Sequence, residues 1–585
     1  MTGTYPPGGT GLVEHPRHHA AGDGALLVVV DTRAPYWERV IVDETVLVAL
    51  EHFGMPYRLH DLADGALTEE ALTHCAGAVL AQNGLGDALG QSGASLLAAA
   101  VDAGTGLVNL DYDLRRYAAP FLEIFGFEGI KPYPYATDLL RVRATGHYVT
   151  GLQEAGELHQ FSRMVTAIAV EAWREDVVPL ADGLLGKDQL IYIRHLVPGS
   201  AFEPRNYPLL FAARWGRGKA VQFTLNQRVW KRAFYGHARD LDDVLWRSLV
   251  WAARKPFAAH MVLPFVALSI DDCRGRHDFG YVDVATSLGH VITPSLFLDR
   301  VPERLFGKIR EGCASGGVEY GPHGLDYYDL LVYDFGKGEL AIDELERRFA
   351  RVDQWWERLG ARPGRTTRFH WGEYGVRALP FLKERGYRYF CPALQTGLQK
   401  ADMALDEGFW PYGLQTCYYD YLPDDHDILG FGAMPPRGQE DFLTGHTPYL
   451  RERDTTDVEG GAASAAWRIR HGLRAGFHAE VITHEQKFDS LSLDEWEQIL
   501  RRAGEMTSRF DKIYATHDQI GDYYRGKDGT TIATASRHGD GLRCTLAGHT
   551  ATPLSVSVFR DHGDDVSREY ASVDAFDGEA VVEAG

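Results

Sequence analysis

The sequence has no apolar run long enough to cross a membrane and little that would attract a polyanion. A membrane-spanning helix needs about 18 or more consecutive apolar residues, and none of the 585 residues begins such a run. The formal net charge of −21 argues against nucleic acid or an anionic membrane as the main partner. We therefore expect no membrane span and no nucleic-acid partner.

Paired cysteines and an export signal are also missing. The six cysteines are scattered without a CxxC pair, which is typical of reduced thiols in a cytoplasm. Residues 1–24 lack a basic stretch followed by an apolar one, so they do not form a signal peptide and are expected to be a disordered leader. We therefore expect a cytoplasmic protein, and a mature secreted chain without its leader is the alternative.

Alternating strand and helix patterns begin at residue 25, and residues 25–258 form the predicted first domain. ALLVVVD (25–31) is predicted to be a strand, and residues 40–54 an amphipathic helix that ends at a glycine. The repeated alternation indicates a doubly wound, parallel α/β sheet. The loop after the first strand lacks GxGxxG, which argues against a dinucleotide site. After about residue 137 the pattern becomes rich in strands.

The strand pair RWGRGKAVQFTLNQ (214–227), which precedes a final helix, gives this domain a familiar order of elements. The order resembles that of class I glutamine-amidotransferase-like (flavodoxin-like) domains. Those domains carry a nucleophilic cysteine on a glycine-flanked turn after a strand, whereas Cys75 precedes the strand AGAVLAQ (76–82). The resemblance therefore implies a non-catalytic accessory or assembly domain, and a homo-oligomer would form through it.

Two adjacent carboxylates, Asp271 and Asp272, follow the mostly apolar run 262–269. Such a run, with β-branched members, predicts a strand that is covered on both faces. Acidic residues at the carboxyl end of such a strand lie where α/β enzymes place their chemistry. Neighbouring carboxylates need a cation or a shared proton to offset their repulsion, although a solvated turn explains the pair taken alone. Repeated strand–helix units through residue 527 indicate a (β/α) barrel, predicted to be the second domain, 259–527.

Ordered motifs in this second domain point to one family. They are SIDDC (269–273), EYGPHGLDYYD (319–329), RFHWGEYG (368–375) with ERGYRYF (384–390), and VITHEQ (481–486). Their order resembles the polysaccharide deacetylases of carbohydrate esterase family 4, the NodB-homology enzymes. The resemblance implies a distorted (β/α)7-type barrel and an N-acetylated sugar or oligosaccharide as substrate. It also implies a divalent metal, for which carboxylate and imidazole ligands suit Zn²⁺, or else Co²⁺ or Ni²⁺.

The resemblance also implies roles for the matching residues. Asp271 would be the base, and Asp272 and His323 would be metal ligands. His484 would protonate the leaving amine, and Arg368 would orient the base. Hydrolysis of an acetamide needs these parts, because it requires an activated water, a Lewis acid at the carbonyl oxygen and a proton donor for the amine.

The family's second ligand histidine, four residues after the first, is replaced here by Tyr327. Either Asp326 or a residue from another strand supplies the third ligand, or the metal site is degraded. We expect His370, at the end of the predicted strand TTRFH (366–370), to be the substitute, with substrate binding or proton relay as its alternative roles. Arg274, Trp371 and Tyr327 are expected to bind substrate, and Arg274 is also a second candidate to orient the base.

Residues 528–585 alternate polar and apolar residues with a period of two, which predicts a small C-terminal β domain. We interpret His517, which precedes a helix, as structural. The prediction for the whole chain is a metal-dependent carbohydrate N-deacetylase. The alternatives are a glycoside hydrolase that uses paired carboxylates on the same barrel, and a catalytically inactive carbohydrate-binding or scaffold protein, which Tyr327 suggests.

Overall fold

The computed structural model describes most of the chain. The described residues are 19–184, 206–334, 338–370, 373–391, 395–396, 419–422, 425–431, 441–443 and 457–584, without 232 and 564. They form two compact units, one from the chain up to Met261 together with Gly526 onward, and one from Val262–Arg525. No helix in these ranges has both the length and the apolar character that a membrane crossing requires.

The first unit is organised around a nine-stranded mixed sheet. Among the described residues, the part of this unit before Met261 contains ten strands, of which the first nine form the sheet. They are β1 (Leu26–Val30), β2 (Tyr57–Asp61), β3 (Gly77–Leu80), β4 (Gly106–Asn109), β5 (Tyr135–Val142), β6 (Leu158–Ala167), β7 (Val178–Leu184), β8 (Tyr207–Trp215), β9 (Gly218–Phe223) and β10 (Phe257–Ala259). The helices are α1 (Tyr36–Val42), α2 (Val48–Phe53), α3 (Glu69–Thr73), α4 (Leu85–Asp102), α5 (Ala119–Glu123) and α6 (Asp242–Ala252).

The order of strands in this sheet is β2-β1-β3-β4-β9-β8-β7-β5-β6. The pairs from β2 to β9 are parallel, and the pairs from β9 to β6 are antiparallel. The mixed α/β class agrees with the alternation in the sequence. The predicted helix over 40–54 is interrupted by a π turn, Asp43–Leu47. It ends at Gly54, whose φ of 58° favours glycine.

The second unit contains a five-stranded parallel sheet with β11 inside it. The strands are β11 (Phe265–Cys273), β12 (Ile292–Phe297), β13 (Gly321–Gly324), β14 (Tyr333–Asp334), β15 (Gly338–Glu339), β16 (Thr366–Thr367), β17 (Glu373–Tyr374), β18 (Tyr389–Phe390), β19 (Gln395–Thr396), β20 (Tyr419–Leu422), β21 (Asp425–Phe431), β22 (Ala479–His484) and β23 (Ile513–Tyr514). The helices are α7 (Gly280–Ser287), α8 (Phe306–Ser315), α9 (Ile342–Leu359), α10 (Leu379–Glu384), α11 (Val458–Arg474), α12 (Leu493–Met506) and α13 (His517–Asp528).

This sheet brings several carboxyl strand ends to one edge. Its strands follow the order β13-β12-β11-β22, with β23 also paired to β11, and a separate sheet has the order β16-β18-β21-β20. Every residue of β11 is buried, as its continuous apolar run predicts. The predicted strand 366–370 is shorter, because only Thr366–Thr367 pair with β18. Closure of these strands into a (β/α)7-type barrel stays a prediction.

The last stretch of the chain belongs to the first unit. Its strands are β24 (Thr530–His538), β25 (Gly541–Thr550), β26 (Leu554–His562), β27 (Asp565–Val573) and β28 (Phe576–Ala584). They form two antiparallel sheets, β24-β25-β28 and β10-β26-β27. The period-two pattern therefore predicted the strands, and the pairing with β10 was not foreseen.

Candidate metal centre

The adjacent carboxylates Asp271 and Asp272 lie at the carboxyl end of β11, and both are buried. Successive side chains of a regular strand point to opposite faces. Here the register of β11 against β12 shifts between Ile270 and Cys273, and Asp272 has a φ of 61°. This irregularity re-aims the second carboxylate, so the two aspartates engage different partners within one site.

Asp272 faces two histidines from other elements. Its Oδ1 lies 3.2 Å from His323 Nε2 and 3.1 Å from His370 Nδ1. The two imidazole nitrogens are 3.0 Å apart. His323 comes from β13, and His370 follows the short strand β16. Burial raises the pKa of Asp272, but the neighbouring imidazoles of His323 and His370 lower it more, so its pKa is well below the ordinary value.

The donor set suits a divalent cation. His323 Nδ1 lies 2.5 Å from the carbonyl oxygen of Arg368, so Nδ1 carries the proton and Nε2 directs a lone pair toward Asp272. A lone pair that faces a carboxylate is repulsive unless a proton or a cation lies between them. Ligands about 2.1 Å from one ion are about 3.0–3.4 Å apart in octahedral or tetrahedral geometry. The observed separations of 3.0–3.2 Å are close to that range.

Asp271 pairs with the buried guanidinium of Arg368. Arg368 Nε and Nη2 each lie 3.3 Å from Asp271 Oδ1, and Nη2 is also 3.3 Å from Oδ2. Burial raises the pKa of Asp271, but the charge of Arg368 lowers it more, so its pKa is below the ordinary value. Asp271 is therefore an ionised carboxylate that can accept a proton.

His484 ends β22 and lies directly opposite Asp271 in the parallel register. Its Nδ1 is 2.8 Å from Asp441 Oδ2. The other oxygen of Asp441 accepts hydrogen bonds from the Thr483 hydroxyl at 2.9 Å and the Leu443 amide at 2.8 Å. Burial lowers the pKa of His484, but the hydrogen bond and charge of Asp441 raise it more, to about 10. His484 is thus a protonated imidazole beside the ionised Asp271.

Glu485 fixes the loop that follows the aspartate pair. Its carboxylate accepts hydrogen bonds from the backbone amides of Arg274 at 2.7 Å and of Gly275 and Arg276 at 2.9 Å. The hydroxyl of Tyr281 donates a further bond at 2.7 Å. Because Glu485 directly follows His484, it ties the end of β22 to the segment that leaves β11.

Replacement of Glu485 by alanine is expected to lower the free energy of unfolding by about 3 kcal/mol, since it leaves three backbone N–H donors without their carboxylate. Urea unfolding, followed by circular dichroism, measures the change. The control Glu497→Ala removes a partly exposed partner of Arg501 and should cost less than about 1 kcal/mol. Equal stability of the two variants would contradict the role given to Glu485.

The remaining predicted site residues lie in different places. Tyr327 packs its ring 4.8 Å from that of His370. Asp326, a possible third ligand, instead pairs with Arg300 through contacts of 2.8 and 2.5 Å. Arg274 lies over the Phe297 ring at 6.0 Å, and among the described side chains Arg368 is the arginine that pairs with Asp271. Trp371 lies outside the described residues.

Sequence reasoning missed Asp441, Glu480 and Glu485. Glu485 had a usable signal, because it directly follows a predicted catalytic histidine. Glu480 lies on the same strand as His484, and alternation on β22 puts the two on one face. Asp441 had no such signal, because it lies in an irregular stretch of the sequence and follows no predicted strand.

Comparisons with known proteins bear on the fold. No family model and no curated protein matches the chain. Among solved structures, the chain is similar to Agd3, a carbohydrate deacetylase, with 10% identity and a TM-score of 0.53, covering 97% of this chain and 99% of that one. It also matches a protein from Mycobacterium smegmatis that is provisionally described as a polysaccharide deacetylase (12% identity, TM-score 0.33, 47% and 96% covered). Puue allantoinase matches with 11% identity and a TM-score of 0.30, covering 44% and 89%. The full-length likeness to Agd3 shows that the two proteins share a mixed α/β fold.

Proposed function

We propose that the protein is a metal-dependent hydrolase that removes N-acetyl groups from an N-acetylated amino sugar or polysaccharide. The observation that carries the proposal is the convergence of Asp272, His323 and His370, with their ligand atoms 3.0–3.2 Å apart. An ionised carboxylate and a protonated imidazole, Asp271 and His484, lie in direct register beside this group. The shared fold with Agd3, described as a carbohydrate deacetylase, supports the same reaction class.

The three ligands would hold one divalent cation, Zn²⁺ before Co²⁺ or Ni²⁺ on ligand chemistry, and this cation would polarise the acetamide carbonyl and acidify a water. Asp271 accepts a proton from the attacking water while the oxygen of that water bonds to the carbonyl carbon. Arg368 keeps Asp271 ionised for that step. The C–N bond then breaks, and His484 gives its proton to the amine nitrogen, leaving acetate and a free amine. These roles are those that the sequence predicted. His370 takes the place of the family's second ligand histidine, which is Tyr327 in this chain.

Metal content and acetate release test the proposal together. We expect the purified protein to bind about one divalent ion per chain at the three-ligand site and to release acetate from some members of a panel of N-acetylated sugars and oligosaccharides. A chelator should abolish the release, and Zn²⁺, Co²⁺ or Ni²⁺ should restore it. A chain that binds no divalent metal and releases no acetate would refute the proposal.

The two alternatives fit the site less well. A glycoside hydrolase needs one carboxylic acid with a raised pKa to protonate the leaving oxygen. At the described site, Asp271, Asp272 and Asp441 all have lowered pKa values. The inactive-scaffold alternative assumed that Tyr327 leaves the metal site one ligand short. His370 would supply that third ligand.

The proposed acid depends on Asp441, and this gives a pH prediction. His484 donates its proton only while protonated, so its raised pKa of about 10, against an ordinary 6.5, keeps it competent at neutral pH. In Asp441→Asn the pKa should fall, and the alkaline decline of kcat/KM should move about 1–3 pH units lower. A pH–rate profile measures this shift of the alkaline limb. Asp353→Asn is the control, because Asp353 pairs with Arg385. An unchanged alkaline limb would contradict the assignment.

We propose that the first unit is an accessory domain, as its amidotransferase-like order of elements implies. Cys75 is buried, and burial raises the pKa of its thiol to about 11, which argues against a nucleophile. It also precedes β3 instead of following a strand. The division into domains at 25–258, 259–527 and 528–585, and a homo-oligomer formed through the first of these, remain part of the proposal.

A further inference from the structure

A second group of buried polar side chains lies deeper on the strands that carry Asp271 and His484. Ser269 precedes Asp271 by two residues on β11, and Glu480 precedes His484 by four on β22. Side chains two and four residues apart on a strand share a face. The strands therefore present two layers on one face, with the reacting pair at the edge. Ser269 and Glu480 lie beneath it on a diagonal, because Ser269 is level with Ile482 and Glu480 with Ala267.

Glu480 has three donors around its carboxylate. Ser269 Oγ donates to Oε1 at 2.7 Å, and Arg368 Nη1 donates to the same oxygen at 3.1 Å. His517 Nε2 lies 2.8 Å from Oε2. The other ring nitrogen of His517 is 3.1 Å from the hydroxyl of Thr293. These contacts from separate elements hold the carboxylate in one orientation.

The same cluster meets the distance criteria for a second metal site, since ligand atoms of Cys391, Glu480 and His517 lie within 4.8 Å of one another. Arg368 Nη1, however, lies 3.6 Å from Cys391 Sγ and 3.1 Å from both Glu480 Oε1 and His517 Nε2. A guanidinium cation therefore already fills the place of an ion. The cluster is better explained as a holder for Arg368.

Arg368 bridges the two layers. Its Nε and Nη2 face Asp271 and its Nη1 faces Glu480. All contacts with Asp271 are 3.3 Å long, whereas good charge-assisted bonds are about 2.7–2.9 Å. The contact with Glu480, at 3.1 Å, also exceeds that range. The two carboxylates therefore hold the guanidinium together, Asp271 through Nε and Nη2 and Glu480 through Nη1.

We infer that Glu480, held by Ser269 and His517, is a positioning residue that fixes Arg368 against the catalytic base Asp271. This inference rests on the proposed function. Glu480 acts only through Arg368, because its carboxylate contacts neither the three metal ligands nor His484. Removal of its charge should leave the metal ligands in place and disturb the orientation of the base.

The test is Glu480→Gln, which preserves shape and removes the charge. We expect kcat for acetate release to fall about 10–100-fold, as for other residues that orient catalytic groups, with KM and bound metal changed less than about twofold. Glu497→Gln is the control, because Glu497 belongs to an ion pair with Arg501 on α12 that includes neither Arg368 nor Glu480. Its rate should be that of the wild type.

A double-mutant cycle separates positioning from a general loss of stability. In an Arg368→Ala background, Glu480→Gln should lower kcat by less than about twofold, because its target is gone. Ser269→Ala, which removes one donor and buries no new charge, should lower kcat about 2–10-fold in the wild type and not in Arg368→Ala. Additive losses in both backgrounds, or an unchanged kcat in Glu480→Gln, would overturn the inference.

A crystal structure of Glu480→Gln distinguishes this inference from the proposed function. We expect at least one Arg368–Asp271 contact to lengthen beyond about 3.5 Å, the limit of a hydrogen bond. If that occurs while the wild type releases no acetate, the function is wrong and the positioning stands. If the wild type is active and the contacts in the variant are unchanged, the positioning is wrong and the function stands.

Discussion

Asp272→Asn is expected to lower the affinity for divalent metal by at least about 100-fold and acetate release by at least about 1000-fold, since it removes the anionic member of the ligand group. Isothermal titration of the apoprotein with Zn²⁺ measures the first effect, and acetate release measures the second. Asparagine keeps the size of the side chain and tolerates the left-handed backbone at this position. The fold should therefore persist, and the loss should be chemical.

Asp326→Asn is the matched control for this substitution. Asp326 lies close in sequence to His323, but it pairs with Arg300 instead of the ligand group. The variant should bind metal and release acetate as the wild type does. The three-ligand site would be wrong if Asp272→Asn bound Zn²⁺ with wild-type affinity, or if Asp326→Asn lost it.

His484→Gln is expected to lower kcat by about 10²–10⁴-fold while leaving bound metal unchanged, because a general acid contributes about that much. This corresponds to about 3–5 kcal/mol in the activation barrier. Single-turnover acetate release, compared with the metal content of the same sample, measures the effect. It is the counterpart of Asp272→Asn, since one removes the proton donor and the other the metal.

His549→Gln serves as the control, because His549 is an exposed residue on β25. It should leave both kcat and metal content unaltered. Loss of metal in His484→Gln would assign this histidine to the ligand group instead. A rate close to that of the wild type would remove it from the reaction altogether.

The sequence was informative where chemistry and strand pattern coincide. The apolar run 262–269 before Asp271 and Asp272 predicted a buried strand, and the structure places this strand later, at Phe265–Cys273. The family resemblance made His323 a predicted ligand, and His370 was chosen because it ends the predicted strand TTRFH (366–370). They now lie within hydrogen-bonding distance of Asp272, and their role as ligands stays a prediction.

The parts that sequence could not supply depend on long-range packing. Asp441 reaches His484 across 43 residues from a segment without regular periodicity, so no pattern connects the two. The resemblance made Arg368 the first candidate to orient the base, and nearness in sequence made Arg274 the second. In the fold Arg368, 97 residues from Asp271, is the partner of that carboxylate.

The left-handed backbone of Asp272 has a consequence for how such a site is kept during evolution. A non-glycine residue in that region costs about 1–2 kcal/mol, and burial of a carboxylate adds to this. Without selection for metal chemistry, glycine at this position would relieve both costs, so drift should erase the second aspartate early. Among distant relatives, an intact Asp-Asp pair at the end of this strand should therefore mark the lineages that still depend on the proposed reaction.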